Sequence, residues 1–293
     1  MLSRSADKRT GNSRAIRPDM GRNEKRLVSR RHPARRIAQG AGLGEVALRT
    51  LAAALAALLA CSASSARAGQ TSVAVADNFA EPAKEIAELF KQRTSHEAVL
   101  SFGATGRLYT QIARDAPFQV FLSADARRPK AAIARGYAVP GSRFTYAIGK
   151  LVLWSKVLDV TKGEEALRAG AFSNLSISNP STAPYGTAAM EVITTLRVYD
   201  AVKAKIVQGA SVAQVFQFVD TKEAELGFVA LSQLYGVSEG TRWLVPQNLY
   251  APIRQDAILL KKGANDQASK AFLEFLKGPD ARAVIKKFGY SLD

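Results

Sequence analysis

Four short stretches of the chain concentrate small, hydrogen-bonding residues: ADNFAE (76–81), FGATGR (102–107), NPSTAPYG (179–186) and GASVAQ (209–214). Each runs into an amphipathic segment of helical period, so each sits where a strand would turn into a helix. The first turn of a helix leaves backbone N–H groups without intrahelical acceptors and carries a partial positive charge. Several such turns facing one cleft would hold an anion without any formal cation. One turn alone is equally well explained by capping. Asn78 followed by Glu81 is an N-cap arrangement, with Pro82 tolerated in the first turn. Thr105 likewise reads as a cap, Tyr185 as a core aromatic with a wet hydroxyl, and Val212 as helix packing.

Other chemistries lack their residues. The chain has no GxSxG elbow, no GxxxxGK[ST] loop and no HExxH pair, so the usual hydrolase, nucleotide and zinc-protease motifs are missing. Its single cysteine, Cys61, and one of its two histidines, His32, lie in the first 68 residues, while His96 stands alone in a polar turn. No His/Cys cluster is left to bind zinc, copper or iron cations. A binding protein without a cofactor is therefore expected, not an enzyme.

The elements that would position the four turns alternate as parallel α/β layers do. SVAVA (72–76), AVLSF (98–102) and QVFLS (119–123) read as strands, with helices over 83–92 and 108–115 between them. A longer apolar run, FTYAIGKLVLWS (144–155), leads into further strands near 175–178, 205–208 and 225–231. APIRQDAILLKK (251–262) is a strand-like return, and residues 266–289 form one or two helices punctuated by Gly278-Pro279.

With 293 residues, 47% hydrophobic and 23% charged, the chain can bury a sizeable core and hold two domains. Its net charge of +16 is uneven. Residues 1–68 hold 14 Lys+Arg against 4 Asp+Glu, leaving 27 against 21 for 69–293. The basic run RNEKRLVSRRHPARR precedes VALRTLAAALAALLACSASSARA, a short apolar core ending in small residues, which is the pattern of a secretory signal peptide. The core from 51 to 60 is far shorter than the roughly 20 residues that span a bilayer. Cleavage after Ala68, within Ala66-Arg67-Ala68, is expected; Leu58-Leu59-Ala60-Cys61 resembles a lipoprotein processing box and offers an alternative. A basic arm for nucleic acid is the competing reading of this leader, but it shows no helix-turn-helix periodicity, so no nucleic-acid partner is expected.

Residues 69–293 resemble the periplasmic molybdate-binding proteins of ABC importers. The resemblance is carried by FGATGRLYTQIARDAPFQVFLSADA, GSRFTYAIGKLVLWS, ISNPSTAPYG, AELGFVALSQL and FLKGPDARAVIKKFGY, in that order. It implies an α/β, two-lobed periplasmic-binding-protein fold of type II, with the ligand in the interlobe cleft. Lobe 1 would comprise 69–148 and 252–293, and lobe 2 would comprise 149–251, with crossings near 147–150 and 251–254. The family's ligand positions fall on Asp77, Asn78, Thr105, Tyr185 and Val212. Asn78 and Thr105 would donate from the first lobe, Tyr185 and Val212 from the second, Val212 through its backbone N–H alone. Molybdenum would be bound only as the oxyanion. The partner implied is an importer permease in the inner membrane, served by a monomer in the periplasm.

Asp77 departs from the family pattern, in which a small or hydroxyl residue is usual there. A like unit charge at about 4 Å costs about 4 kcal/mol at an effective dielectric of about 20. Asp77 must therefore turn its side chain away and offer its backbone, or else share a proton with the ligand. The second option would favour a hydrogen-phosphate-like anion over molybdate, tungstate or sulfate. The first is the expectation taken here. A phosphate- or sulfate-binding protein is the alternative, followed by a secreted enzyme and a DNA-binding sensor.

Overall fold

The strands are short runs of Val, Ile, Leu and Phe, most of them buried on both faces, because helices cover each sheet on either side. The computed structural model describes residues 68–292. The expected leader, with Cys61, His32 and all but the last residue of the cleavage pattern, lies outside the described residues.

In chain order the elements are β1 (Gln70–Ala76), α1 (Ala80–Thr94), β2 (Glu97–Gly103), α2 (Thr105–Ala113), β3 (Val120–Leu122), α3 (Arg127–Ala134), β4 (Phe144–Gly149), β5 (Leu151–Ser155), α4 (Gly163–Ala169), β6 (Leu175–Ser178), α5 (Pro184–Thr195), α6 (Tyr199–Val202), β7 (Ile206–Gly209), α7 (Val212–Asp220), β8 (Leu226–Ala230), β9 (Thr241–Leu244), β10 (Ile253–Leu259), α8 (Gln267–Lys277) and α9 (Pro279–Lys287).

Among the described residues these strands form two five-stranded sheets, ordered β2-β1-β3-β10-β4 and β7-β6-β8-β5-β9. The two orders are one pattern used twice, and they make the two lobes. β1 runs parallel to β2 and β3, as β6 does to β7 and β8. The fourth strand of each sheet, β10 or β5, is antiparallel to both its neighbours. The sheets are thus mixed, not parallel throughout as the βα rhythm suggests. The reason is topological: β5 and β10 each arrive directly from the other sheet, without the crossover helix that sets consecutive strands parallel.

The apolar run 144–155 is therefore two strands in two sheets, parted at Lys150, and the chain returns between β9 and β10. Alternate residues feed opposite layers. Val73, Val75, Val120 and Leu122 face one layer of the first lobe, and Ala74 and Phe121 face the other. In the second lobe Leu151, Leu153 and Phe228 face one layer, with Val152, Trp154 and Val229 opposite. Four elements outside the sequence expectation, α3, α4, α6 and β9, also take part. β9 is an edge strand whose residues are half-buried or exposed, so it carries little apolar patterning to read.

Candidate functional site

The starts of α2, α5 and α7, and the 3-10 turn Asp77–Phe79 that leads into α1, converge on one small cavity between the lobes. Its volume is about 10 Å³, and it is lined by Ala76, Asp77, Asn78, Ala104, Thr105, Ala124, Ala183, Pro184, Tyr185 and Val212. All five residues singled out in the sequence line it, and no lysine or arginine does.

The helix starts face this cavity largely uncapped. The N-cap positions Phe79, Ala104 and Ala183 make no side-chain cap bond, and only Ser211 does, accepting from Gln214 N. Asn78 is not a cap, contrary to the sequence pattern. The 3-10 turn delays α1 to Ala80, and the Asn78 carboxamide instead donates to Gln255 Oε1 at 2.8 Å and to the Tyr290 hydroxyl at 3.0 Å. Thr105 is the first residue of α2, inside the helix, and its Oγ1 accepts from Ala124 N at 3.2 Å. Its single hydroxyl proton is left for another acceptor.

Among the described residues, the backbone N–H groups of Asn78, Thr105, Tyr185 and Val212 have no protein acceptor, whereas several N–H groups near them do. Gly106 N donates to Thr182 O at 2.8 Å, Ala183 N to Asn179 O at 2.8 Å, Gly186 N to Ala183 O at 3.0 Å and Gln214 N to Ser211 Oγ at 3.3 Å. Tyr185 is the second residue of α5, so its N–H lies in the first turn of the helix. Its ring is packed in the core of the second lobe, and its hydroxyl accepts from Gln255 Nε2 at 3.3 Å.

The lobes touch around the cavity. Gly106 N to Thr182 O is one cross-lobe bond, Arg128 Nη2 to Ser181 O at 2.7 Å a second, and Ser232 Oγ to Asn78 O at 2.7 Å a third. Arg128, itself paired with Asp125, packs so closely over Gly106 that a Cβ there would lie 2.8 Å from its Nη2 and 2.9 Å from the Thr182 Cα. Only glycine permits this approach.

Charge on the cavity wall is confined to Asp77, which is half-buried. Burial pushes its carboxyl above the usual range, opposed by a hydrogen bond from the Ser211 hydroxyl across the cleft and by the Arg107 guanidinium. Burial likewise holds the hydroxyls of Tyr146 and Tyr185 well above the ordinary tyrosine value and raises that of Tyr290. The polar cluster behind the cavity is therefore neutral across the physiological range. Gln255, Tyr290 and Ser232 were not anticipated from sequence; the clue available was the polar run Arg254-Gln255-Asp256 inside a strand whose other residues are apolar. Among the described residues, no group of three or more His, Cys, Asp or Glu side chains is placed to hold a metal ion.

The pattern for bacterial extracellular solute-binding proteins matches residues 71–291. Two curated relatives are the molybdate-binding proteins ModA of Rhodobacter capsulatus, 52% identical over 77% of this chain and 89% of its own length, and of Azotobacter vinelandii, 51% identical over 80% and 94%. The solved Azotobacter vinelandii periplasmic molybdate-binding protein superposes with a TM-score of 0.73 at 40% identity, covering 76% of this chain and 99% of that one.

Proposed function

Since the chain belongs to the bacterial extracellular solute-binding protein family, we propose that it binds molybdate, or tungstate in its place, and delivers the anion to an ABC importer in the inner membrane. The observation that carries this reading is the convergence of four acceptor-free backbone N–H groups and the Thr105 hydroxyl on one cavity without a cation. A tetrahedral dianion offers four oxygens and no proton, so it is matched by a shell made of donors alone. Fixed amide dipoles at helix starts replace its hydration without the charge that would also bind chloride or carboxylates at long range. The metal is reached only through its oxygens.

Asn78 and Tyr185 serve through their backbone, because their side chains are committed to each other's neighbours behind the cavity. Val212 serves through its N–H, and Thr105 through both N–H and hydroxyl. Asp77 gives its backbone and turns its carboxyl toward Ser211. The protein works as a periplasmic monomer, exported by its leader and cleaved after Ala68, a reading that rests on the apolar core ending in Ala66-Arg67-Ala68; the relatives named for molybdate at about 50% identity support the ligand.

Calorimetric titration of the purified protein with molybdate, tungstate, sulfate and phosphate tests the ligand. Molybdate and tungstate should bind far more tightly than the other two, evenly between about pH 6 and pH 8. Thr105→Val, which keeps the shape and deletes a donor to a charged acceptor, should weaken molybdate by about 1–3 kcal/mol. Tight phosphate binding that vanishes in Asp77→Asn would replace molybdate with a protonated oxyanion.

A further inference from the structure

Behind the cavity lies a residue that does not itself line it yet bonds to lining residues of both lobes. Gln255 stands on β10, the strand that returns from the second sheet to the first, and is fully buried. Its Oε1 accepts from Asn78 Nδ2 at 2.8 Å and from the Tyr146 hydroxyl at 3.0 Å, both in the first lobe. Its Nε2 donates to the Tyr185 hydroxyl, in the second lobe, at 3.3 Å. β10 pairs here with β4, the other strand that leads across: Ile253 opposes Gly149, and Gln255 opposes Ala147. A Cβ on Gly149 would fall 2.2 Å from the Tyr185 hydroxyl and 2.7 Å from Gln255 Nε2. The crossing point is kept bare so that these two groups can meet.

We propose that Gln255 is a positioning residue that couples anion binding to lobe closure by tying Asn78 of one lobe to Tyr185 of the other. The inference rests on the reading of the cavity as the oxyanion site. Four bonds hold the Asn78 unit from behind: Gln255 and Tyr290 take its side-chain amide, and Ser232 and Tyr290 donate to its carbonyl, the latter at 2.6 Å. That leaves its N–H as the polar group facing forward. Tyr185 is held the same way, by its hydroxyl behind and its N–H in front. When the lobes part, Gln255 Nε2 loses the Tyr185 hydroxyl and Asn78 O loses Ser232, so the amides of both lobes are aimed at one point only in the closed form. A buried amide deprived of its acceptor is costly, which makes the hinge region favour either full opening or full closure over intermediate states.

The test uses sodium molybdate and the purified protein. Gln255→Met, similar in size and without polar atoms on its end, should weaken molybdate by about ten- to a hundredfold, the range expected for donors left without their partner. Tyr185→Phe, which keeps the backbone N–H, should weaken it as well. Because both substitutions cut the same bond, the double variant should lose clearly less than the product of the two single losses. A residue that merely supports the core would give multiplicative losses. Should Gln255→Met fail to fold, Tyr185→Phe alone decides: affinity within twofold of the parent overturns the coupling. If the unaltered protein binds no molybdate, the oxyanion reading falls and takes the coupling with it. If it binds and Gln255→Met matches it within twofold, only the coupling falls.

Discussion

Asp77 is the carboxylate on a wall otherwise made of amides, a hydroxyl and apolar carbons. Burial raises its affinity for a proton in the folded state, and Ser211 and Arg107 only partly oppose this. A group with a raised folded-state pKa is less well accommodated when ionised, so charged Asp77 lowers stability, and that penalty fades as pH falls through the raised value toward the ordinary carboxylate range. Asp77→Asn should therefore be more stable than the parent at neutral pH, with the margin shrinking as pH is lowered. Thermal unfolding across a pH series measures it; a margin that grows toward acid would mean that Ser211 and Arg107 outweigh burial. The four turns on the wall were legible in the sequence because small polar turns before helices have a local signature, whereas the particular residues within them came from the family resemblance. The residues behind the wall were not. Gln255 and Tyr290 stand 177 and 212 positions from Asn78, and no local pattern records a partner at that distance. Nor did sequence show which face of Asn78 and Tyr185 meets the cavity, since a polar side chain reads as a donor until its own partners are seen.

At the scale of elements, the proposed site makes the helix starts the working parts, and the value of each lies in backbone groups that ordinary mutagenesis leaves untouched. α7 offers a way to reach one. Val212 is its first residue, a position where proline fits because the helix needs no N–H there, and Ser211 before it is extended at φ −151° and ψ 169°, as a residue preceding proline prefers. Val212→Pro should leave the helix in place and delete one amide donor to the anion, weakening molybdate by about 1–3 kcal/mol with unchanged circular dichroism. Full affinity in this variant would remove Val212 from the site. Most strands were readable from their β-branched and apolar runs, down to Leu175–Ser178, which matches the expected 175–178. The run 144–155 misled by its continuity. Both faces of β4 and β5 are largely buried, so the step from one sheet to the other at Lys150 leaves no polar gap in the sequence.

The whole molecule repeats one sheet order in two lobes, and the proposed site places half of its donors on each. Asn78 and Thr105 belong to the first, Tyr185 and Val212 to the second. An open form offers a dianion only one pair, and a ligand moves a conformational equilibrium only by the difference in its affinity for the two states. On the proposed reading that difference is large, because closure would add the second pair of donors to the first. The cross-lobe bonds at Gly106, Arg128 and Ser232 then close around the ligand. They are few, and each replaces a bond to water in the open form, so net they contribute modestly. The free protein should accordingly sample open forms, with ligand supplying most of the drive to close. Small-angle scattering should show a smaller radius of gyration with saturating molybdate than without, and no change with chloride at equal ionic strength. Gly106→Ala, whose Cβ would press on Arg128 and the Thr182 backbone, should show a lesser contraction and weaker binding while each lobe stays folded. A radius that is already at its bound value without ligand would mean that the cross-lobe bonds suffice to close the protein, and that the anion must enter a cavity shut before it arrives.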